Sequence, residues 1–223
     1  AASRCGSAAD RAARPRVLMG RITGRAVAPL HPPDPAARVH TVLVGEAPGP
    51  RGADQSGIPF LGDRAGVPLY AALEQAACIR WHGDPRAVAW DGAALRDASV
   101  RPESLDVWLT NAFDRCPTDD GDHFRAPTAK ERNAPANLAR LRAELDAARA
   151  RGARQVCCLG RVAGDVVQRL APPMTVHVLP HPSAQGLLMA APNKGKGMAL
   201  ATLEAEWTAR LVALLRSARA SVT

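Results

Sequence analysis

The chain has 223 residues, 29 Lys and Arg against 21 Asp and Glu, a formal charge of +8, and 47% hydrophobic residues. This length predicts one well-cored domain rather than two, and no apolar run approaches the roughly 18 residues of a membrane span. Arginine supplies 26 of the 29 basic side chains, and its forked guanidinium suits phosphate. The composition favours a polyanionic partner such as nucleic acid, although a GC-rich genome would give the same excess of Arg, Ala, Gly and Pro.

The cysteines form neither a secreted disulfide framework nor a zinc or iron–sulfur spacing, because their number is odd and no C-x-x-C pair occurs. Residues 1–38 contain no apolar segment followed by a cleavage signature, so no secretory signal is predicted. We therefore expect a cytoplasmic protein with reduced thiols. The five cysteines are Cys5, Cys78, Cys116, Cys157 and Cys158.

The amino-terminal part of the chain predicts an irregular arm followed by a domain. Residues 1–35 are rich in Ala, Arg and Pro and end in closely spaced prolines that deny a helix its hydrogen bonds. Residues 36–223 are predicted to form a single domain. Within it, the β-branched run 39–44 predicts a buried strand, and the apolar spacing over 67–77 predicts the following helix.

The rest of the chain alternates between strands and helices. The polar segment 83–103 gives no clear pattern, and 105–110 predicts the second strand. Pro135 is well placed as the first-turn proline of the next helix. The remaining predicted elements are helices at 135–152, 162–170 and 199–216 and strands at 155–159 and 175–179.

Four short apolar strands separated by helices predict an α/β protein, a three-layer α/β/α arrangement around a four-stranded parallel sheet. In such sheets ligands bind beyond the carboxyl ends of the strands. Three polar segments follow predicted strands, namely 45–49, 111–113 and 181–183. We expect these segments to converge on one edge of the sheet.

The segment 45–66 is rich in glycine and proline but has neither a Gly-Lys-Ser/Thr ending nor a G-x-G-x-x-G fingerprint, which excludes nucleoside triphosphate hydrolysis. Its carboxylates, Glu46 and Asp54, could orient water or stabilise positive charge on a sugar. Its aromatic residue, Phe60, could stack on a base. The structural alternatives are a loop-capping role for Glu46 and an ordinary core position for Phe60.

Two further polar residues follow predicted strands. The amide of Asn111 has a donor and an acceptor, which complement a base edge, although an asparagine at a strand end is commonly a turn residue. His181, held between two prolines, could donate to an oxygen that gains negative charge as a base leaves. The other histidines, His40 among them, are assigned structural roles. No pair has metal-ligand spacing, so no metal is expected.

The residues after His181 suggest contact with DNA. An apolar tip at 184–189 precedes a Gly-Lys segment at 192–197, as expected for a wedge beside a phosphate clamp. The alternative is a loop that covers the sheet edge with solvated lysines. The expected DNA contacts are Ser183, Ala184, Leu187, Asn193, Lys194 and Lys196.

Together these segments resemble the uracil-DNA glycosylase superfamily. The resemblance rests on 45–49 (GEAPG), 55–60 (QSGIPF), 110–111 (TN) and 181–183 (HPS), in that order. The spacing from 48–50 to Phe60, the turn 160–163 and the HPS segment followed by 193–195 are similar to the single-strand-selective monofunctional branch. GEAPG and 60–66 (FLGDRAG) resemble the thermophile-type branch that carries an iron–sulfur cluster. The matches span about residues 39–215.

The resemblance implies that a flipped uracil is held at the strand ends, with the cost of flipping offset by stacking and hydrogen bonds. Gly45 and Ala47 then lie at the base, Phe60 stacks on it and Asn111 reads its edge. His181 supports the uracil oxygen as negative charge accumulates, with Glu46 or Asp54 completing the catalytic set.

Two departures qualify the resemblance. Ala47 stands where the single-strand-selective branch has a water-holding Asn, so activity must rest on a carboxylate, on backbone groups or on leaving-group stabilisation, and is expected to be slower. Cys116 matches one cluster cysteine, Asn133 stands where another is expected, and Cys5 has no partner at the required spacing. We expect no iron–sulfur cluster and no other cofactor.

The sequence therefore predicts a monomeric glycosylase that hydrolyses the N-glycosidic bond of uracil in single- or double-stranded DNA by base flipping, with no membrane association. A first alternative is a superfamily member that binds uracil or damaged DNA without turnover, because the usual water-activating side chain is absent. A second is a glycosylase for another deaminated base, such as hypoxanthine or xanthine.

Overall fold

The computed structural model describes residues 24–118 and 123–221. Two sheets are present among these residues. The strands are β1 (Thr41–Gly45), β2 (Ile79–His82), β3 (Arg101–Ser104), β4 (Val107–Asn111), β5 (Gln155–Leu159) and β6 (Thr175–Leu179). The main sheet has the order β4-β1-β5-β6 with every pair parallel. This arrangement confirms the predicted α/β fold with a four-stranded parallel sheet.

The helices lie between and beside the strands. They are α1 (Ala53–Ser56), α2 (Gly66–Gln75), α3 (Gly92–Asp97), α4 (Ala129–Arg132), α5 (Pro135–Ala150), α6 (Arg161–Leu170), α7 (Ala184–Ala190) and α8 (Leu200–Ala220), with a 3-10 turn at Pro192–Gly195.

Helices cover both faces of the main sheet, because successive strand side chains point to opposite sides. Leu43 and Cys157 belong to the core on one face, where α2 and α8 pack. Val44 and Cys158 belong to the core on the other face, where α5 and α6 pack. The three layers follow from this alternation, and the two adjacent cysteines lie on opposite faces of the sheet.

The segment without a clear sequence pattern contains α3 and three of the four residues of β3, which pairs with the preceding strand β2 in a small antiparallel hairpin. Polar residues and a proline in β3 give it a low strand propensity. The hairpin is anchored by Trp81, whose ring lies 5.5 Å from Tyr70 and 6.4 Å from Trp90. Tertiary packing of these rings therefore stabilises strands that local sequence does not specify.

Residues 24–35 form neither a helix nor a strand and run beside β4. Leu30 makes an isolated antiparallel bridge with Leu109, and the ring of His31 stacks on Trp108 at 4.3 Å. The rest of the predicted arm, 1–23, lies outside the described residues, and the division at residue 35 stays a prediction. Within the described part of the chain, no helix combines the length and apolarity needed to cross a membrane.

The chain order places a ligand crevice at the end of β1. The connection after β1 leads to β4 on one side, whereas the connection after β4 leads across to β5 on the other side. In open α/β sheets, ligands bind where the strand order reverses in this way, outside the carboxyl ends.

Candidate active site

Gly45 and Asn111 end the neighbouring strands β1 and β4 and are direct register partners. The loops that follow are tied together by backbone hydrogen bonds. The Ala112 N–H donates to the Gly45 carbonyl at 2.8 Å, and the Phe113 N–H donates to the Glu46 carbonyl at 2.9 Å. Two of the segments predicted to converge therefore lie side by side.

Phe60 and Asn111 meet above the α-carbon of Gly45. A Cβ atom at position 45 would lie 2.5 Å from Phe60 Cε1 and 2.5 Å from Asn111 Oδ1, so only glycine fits here. Phe60 adopts a φ of 65°, which L residues rarely adopt. The preceding carbonyl, of Pro59, accepts a 2.7 Å hydrogen bond from the Tyr70 hydroxyl, which helps to hold the ring in place.

The side chain of Asn111 presents a buried acceptor. The residue is 2% exposed, and its Oδ1 atom is buried with no hydrogen-bond partner among the described residues. Its backbone is fixed by α5, since Arg140 Nη2 donates to the Asn111 carbonyl at 2.9 Å and Asn137 Nδ2 donates to the Ala112 carbonyl at 2.7 Å. An unpaired buried acceptor has a cost of about 1–3 kcal/mol, which a ligand N–H would remove.

His181 follows β6 and is held as a neutral ring. Burial lowers the pKa of its imidazole. Its Nδ1 atom accepts from the Ser183 N–H at 3.3 Å and lies 3.0 Å from Ser183 Oγ. Because Nδ1 accepts from the Ser183 N–H, the proton of the neutral ring lies on Nε2. The segment is anchored by Trp207, whose Nε1–H donates to the Pro180 carbonyl at 2.9 Å.

Glu46 lies between two adjoining cavities that it shares with His181. One cavity, of about 440 Å³, continues along Gly160 to Met189, and the other continues along Ala47 to Pro127. Burial raises the pKa of the Glu46 carboxyl, and Arg132, whose Nη1 lies 3.3 Å from Glu46 Oε1, opposes that rise. The carboxylate is thus close to a neutral imidazole at the mouth of the sheet.

The other predicted carboxylate is placed differently. Asp54 is fully buried within α1, accepts from Gln55 Nε2 at 3.2 Å, and does not line either cavity that contains Glu46. A carboxylate not singled out in the sequence, Asp63, organises the loop instead. Its Oδ2 accepts from the Gly49 N–H at 3.3 Å and the Ala53 N–H at 3.2 Å.

The predicted DNA contacts fall on a helix and a turn rather than on a loop. Ser183 is the N-cap of α7 and accepts from the Gly186 N–H, and Ala184 begins that helix. The structure differs from the expectation for Leu187, which is 4% exposed and packs in the core. The exposed apolar side chain of this segment is Met189, at 60%.

The lysine segment forms the 3-10 turn that follows α7. Asn193 and Lys194 adopt left-handed backbone angles, with φ values of 50° and 53°. Both residues and Lys196 are exposed. This turn therefore presents two cations next to the end of α7.

Three residues that hold the site in position from neighbouring helices were not predicted from the sequence. Arg132, Asn137 and Arg140 come from α4 and α5, where their spacing shows only an amphipathic surface. Their contacts to Glu46 and to the carbonyls of residues 111 and 112 exist only in the folded chain. No sequence signal distinguishes them from other polar residues on these helices.

An unpaired buried amide oxygen, an aromatic ring and a neutral histidine thus lie at the carboxyl edge of the parallel sheet in this α/β/α protein. Residues 32–203 match the family model described as the Uracil DNA glycosylase superfamily. The match covers more than half of the chain, which therefore belongs to this superfamily. Membership makes it a DNA glycosylase in general class, a hydrolase with DNA as substrate. A search of curated proteins found no match.

Proposed function

We propose that this protein is a uracil-DNA glycosylase that hydrolyses the N-glycosidic bond of a flipped uracil. The observation that carries the proposal is the buried, unpaired Oδ1 of Asn111 beside Phe60. Uracil has an N3–H donor next to a carbonyl acceptor, and an asparagine amide complements that edge. Stacking on Phe60 contributes about 1–3 kcal/mol toward the cost of extruding the base.

His181 supports departure of the base. As the bond between C1′ and N1 breaks, its electron pair goes to uracil and negative charge accumulates on the O2 oxygen. The Nε2–H of a neutral imidazole donates to that oxygen without transferring its proton, as preorganised donors do at developing oxyanions. The lowered pKa of His181 and the Ser183 contact at Nδ1 support this role.

Glu46 is the proposed partner of the attacking water. A water oxygen forms the new bond to C1′ of the oxocarbenium-like sugar, and the Glu46 carboxylate accepts a proton from that water. The methyl group of Ala47 cannot hold water, so Glu46 works without a second polar side chain at that position. We expect a slower enzyme than glycosylases with a polar residue there.

The substrate is proposed to be uracil in DNA, bound by a monomer in the cytoplasm. Met189, Ser183, Ala184, Asn193, Lys194 and Lys196 are the proposed contacts to the strand. Met189 lines the same cavity as Glu46 and His181, which supports its assignment as the side chain that fills the space left by the flipped base.

The first experiment uses end-labelled oligonucleotides that carry one uracil, single- and double-stranded, followed by alkali to cleave abasic sites. The wild type should give a uracil-dependent product. Asn111→Ala should lose most of it, and Gln168→Ala, which removes an exposed amide at the far end of α6, should not. A parallel pair compares Glu46→Gln with Glu204→Gln, a carboxylate on α8.

Other outcomes separate the alternatives. Uracil-dependent binding without product would mean that the pocket recognises the base but has lost turnover. Product only with hypoxanthine or xanthine would assign a different deaminated base. Equal cleavage of uracil DNA by the wild type and Asn111→Ala would remove the proposed role of this site.

A further inference from the structure

Three metal-ligating side chains meet at the amino edge of the main sheet, opposite the candidate active site. His40 precedes β1, Cys78 lies between α2 and β2, and Asp106 precedes β4. One ligand atom from each of the three lies within 4.8 Å of the others. His40 is 3% exposed and Cys78 is fully buried, so this cluster is built into the fold.

The distances match the edges of a metal coordination sphere. His40 Nε2 lies 3.3 Å from Asp106 Oδ1 and 3.8 Å from Cys78 Sγ. Zinc bond lengths of about 2.0–2.2 Å to nitrogen or oxygen and about 2.3 Å to sulfur, at tetrahedral angles, give ligand separations of roughly 3.4 and 3.6 Å. The two distances from His40 Nε2 are therefore close to the ligand separations of a zinc tetrahedron, and the third pair, Cys78 and Asp106, lies within 4.8 Å.

Neighbouring side chains form hydrogen bonds that orient Asp106 and His40. Arg219 Nε donates to Asp106 Oδ2 at 2.8 Å, whereas Asp106 Oδ1 is buried beside His40 Nε2, 3.3 Å away. His40 Nδ1 lies 2.7 Å from Thr41 Oγ1. A proton on Nδ1, donated to that hydroxyl, leaves the Nε2 lone pair available for a metal, the usual arrangement around a ligating histidine.

We propose that His40, Cys78 and Asp106 form a structural site for a zinc-type divalent cation. Coordination forms a bond from the metal to Cys78 Sγ and releases the thiol proton to solvent. The thiolate and the carboxylate then neutralise the dication. Arg219, whose Nη2 lies 3.3 Å from Cys78 Sγ, keeps its contact to Asp106 Oδ2 and contributes the remaining positive charge of the site.

Access to the site is from the side of Asp106, whose side chain is 23% exposed, so solvent can reach a bound ion from that side. The site is separate from base excision, because the five residues of β1, at about 3.3 Å each, lie between His40 and Glu46. Its role is to join three segments that are distant in sequence. The inference therefore departs from the expectation of no metal and does not rest on the proposed function.

Cobalt titration of the metal-depleted full chain tests the proposal. One equivalent of Co²⁺ should produce visible d–d bands and a thiolate-to-cobalt charge-transfer band. Cys78→Ala should lose the charge-transfer band, whereas Cys158→Ala, which removes an equally buried thiol in β5, should keep it. A band that survives in Cys78→Ala, or no band in the wild type, would overturn the proposal.

Two measurements keep the test valid if Cys78→Ala fails to fold. X-ray absorption of the zinc-loaded wild type should show one sulfur at about 2.3 Å with nitrogen and oxygen ligands at about 2.0 Å, and a shell without sulfur would contradict the site. Saturating Zn²⁺ should raise the wild-type Tm by about 5 °C. That rise should shrink in Asp106→Asn, and an equal rise in both proteins would count against the site.

Discussion

The tautomer and the charge of the His181 ring are set by Ser183 and by burial of the ring. The residue follows β6 without a tight turn, so its ring lies at the mouth of the sheet. The Ser183 N–H reaches back to Nδ1, and burial disfavours the charged ring. The short segment 181–183 therefore specifies both the position and the tautomer of a hydrogen-bond donor.

This arrangement predicts unequal effects for two substitutions. His181→Ala should lower the single-turnover rate of uracil excision by about 100-fold or more, since it removes a donor to the developing anion. Ser183→Ala should cost only about tenfold, because the backbone N–H still donates to Nδ1 while the hydroxyl contact is lost. Rapid-quench kinetics checks both, with the exposed His82→Ala as control. An equal loss in both variants would argue against the tautomer assignment.

Glu46 and Arg132 form a second unit at the residue scale. Burial raises the pKa of the Glu46 carboxyl, and the Arg132 guanidinium limits that rise. A catalytic carboxylate is active above its pKa, so excision should decline as the pH falls through that value. The acidic limb should therefore lie above the pH range of an ordinary glutamate.

Arg132→Gln should move the acidic limb of the excision rate to still higher pH, because the positive charge that opposes the rise is removed. Single-turnover rates across a pH series measure the shift. Lys130→Gln, which removes a cation from the same short helix, should leave the profile in place. If Arg132→Gln leaves the pH profile unchanged, Glu46 does not take part in the rate-limiting proton transfer.

The bounds of the main-sheet strands were predictable to within about two residues, both for the fully buried β1, β4 and β5 and for β6, which is mostly not buried. The strands 155–159 and 175–179 match β5 and β6, whereas β1 and β4 begin two residues later than predicted. Short elements whose stability comes from distant contacts were not predictable, as β2, β3 and α7 show. The candidate site follows the same division, since Asn111 and His181 were singled out at the ends of predicted strands, whereas the supporting Asn137 and Arg140 lie on the surface of α5.

Two apolar positions of α7, Leu187 and Met189, are expected to have different roles. Leu187→Ala should destabilise the fold by about 2–5 kcal/mol, because its side chain is buried in the core. Met189→Ala should change stability by less than about 0.5 kcal/mol but lower excision from duplex DNA more than from single strands. Denaturant unfolding and paired excision assays measure these effects. Equal activity losses on both substrates would contradict the wedge.

At the scale of the whole molecule, basic side chains lie at both edges of the main sheet, including the edge that carries the candidate site. Lys194 and Lys196 lie on the turn after α7, close in sequence to His181. Arg149 and Arg169 lie in the last turns of α5 and α6, which lead into the amino ends of strands at the opposite edge. The two lysines are therefore expected to contribute more to DNA binding than the two arginines, although each pair carries the same charge.

A double variant tests this difference. Lys194→Ala with Lys196→Ala should lower the slope of log affinity against log salt by about 2, since each lost phosphate contact lowers it by about 1. Arg149→Ala with Arg169→Ala removes the same net charge and should leave the slope nearly unchanged. Fluorescence anisotropy with a labelled oligonucleotide at several salt concentrations gives both slopes. Identical slopes would show that only net charge matters.

The proposed metal site could not be predicted from the sequence. His40, Cys78 and Asp106 are separated by tens of residues, so no spacing motif can reveal them. His40 and Asp106 meet because the parallel strands β1 and β4 begin at one common edge. Cys78 is brought there by the connection between α2 and β2, where its carbonyl accepts from the Leu105 N–H at 2.9 Å. The proposed catalytic residues and the proposed metal ligands thus lie at opposite edges of the main sheet.

During synthesis of the chain, the two cores of the domain are completed at different times. The core on the α5 and α6 face is built from residues 39–170, whereas the core on the α2 face also requires Leu203 to Leu215 of α8. A chain still on the ribosome can therefore close one face while Leu43, Leu69 and Leu73 stay open to water. Such a half-covered sheet is a binding surface for chaperones, and Trp207 reaches Pro180 only after α8 has been translated. The nascent protein should accordingly stay inactive on nucleic acid until α8 packs.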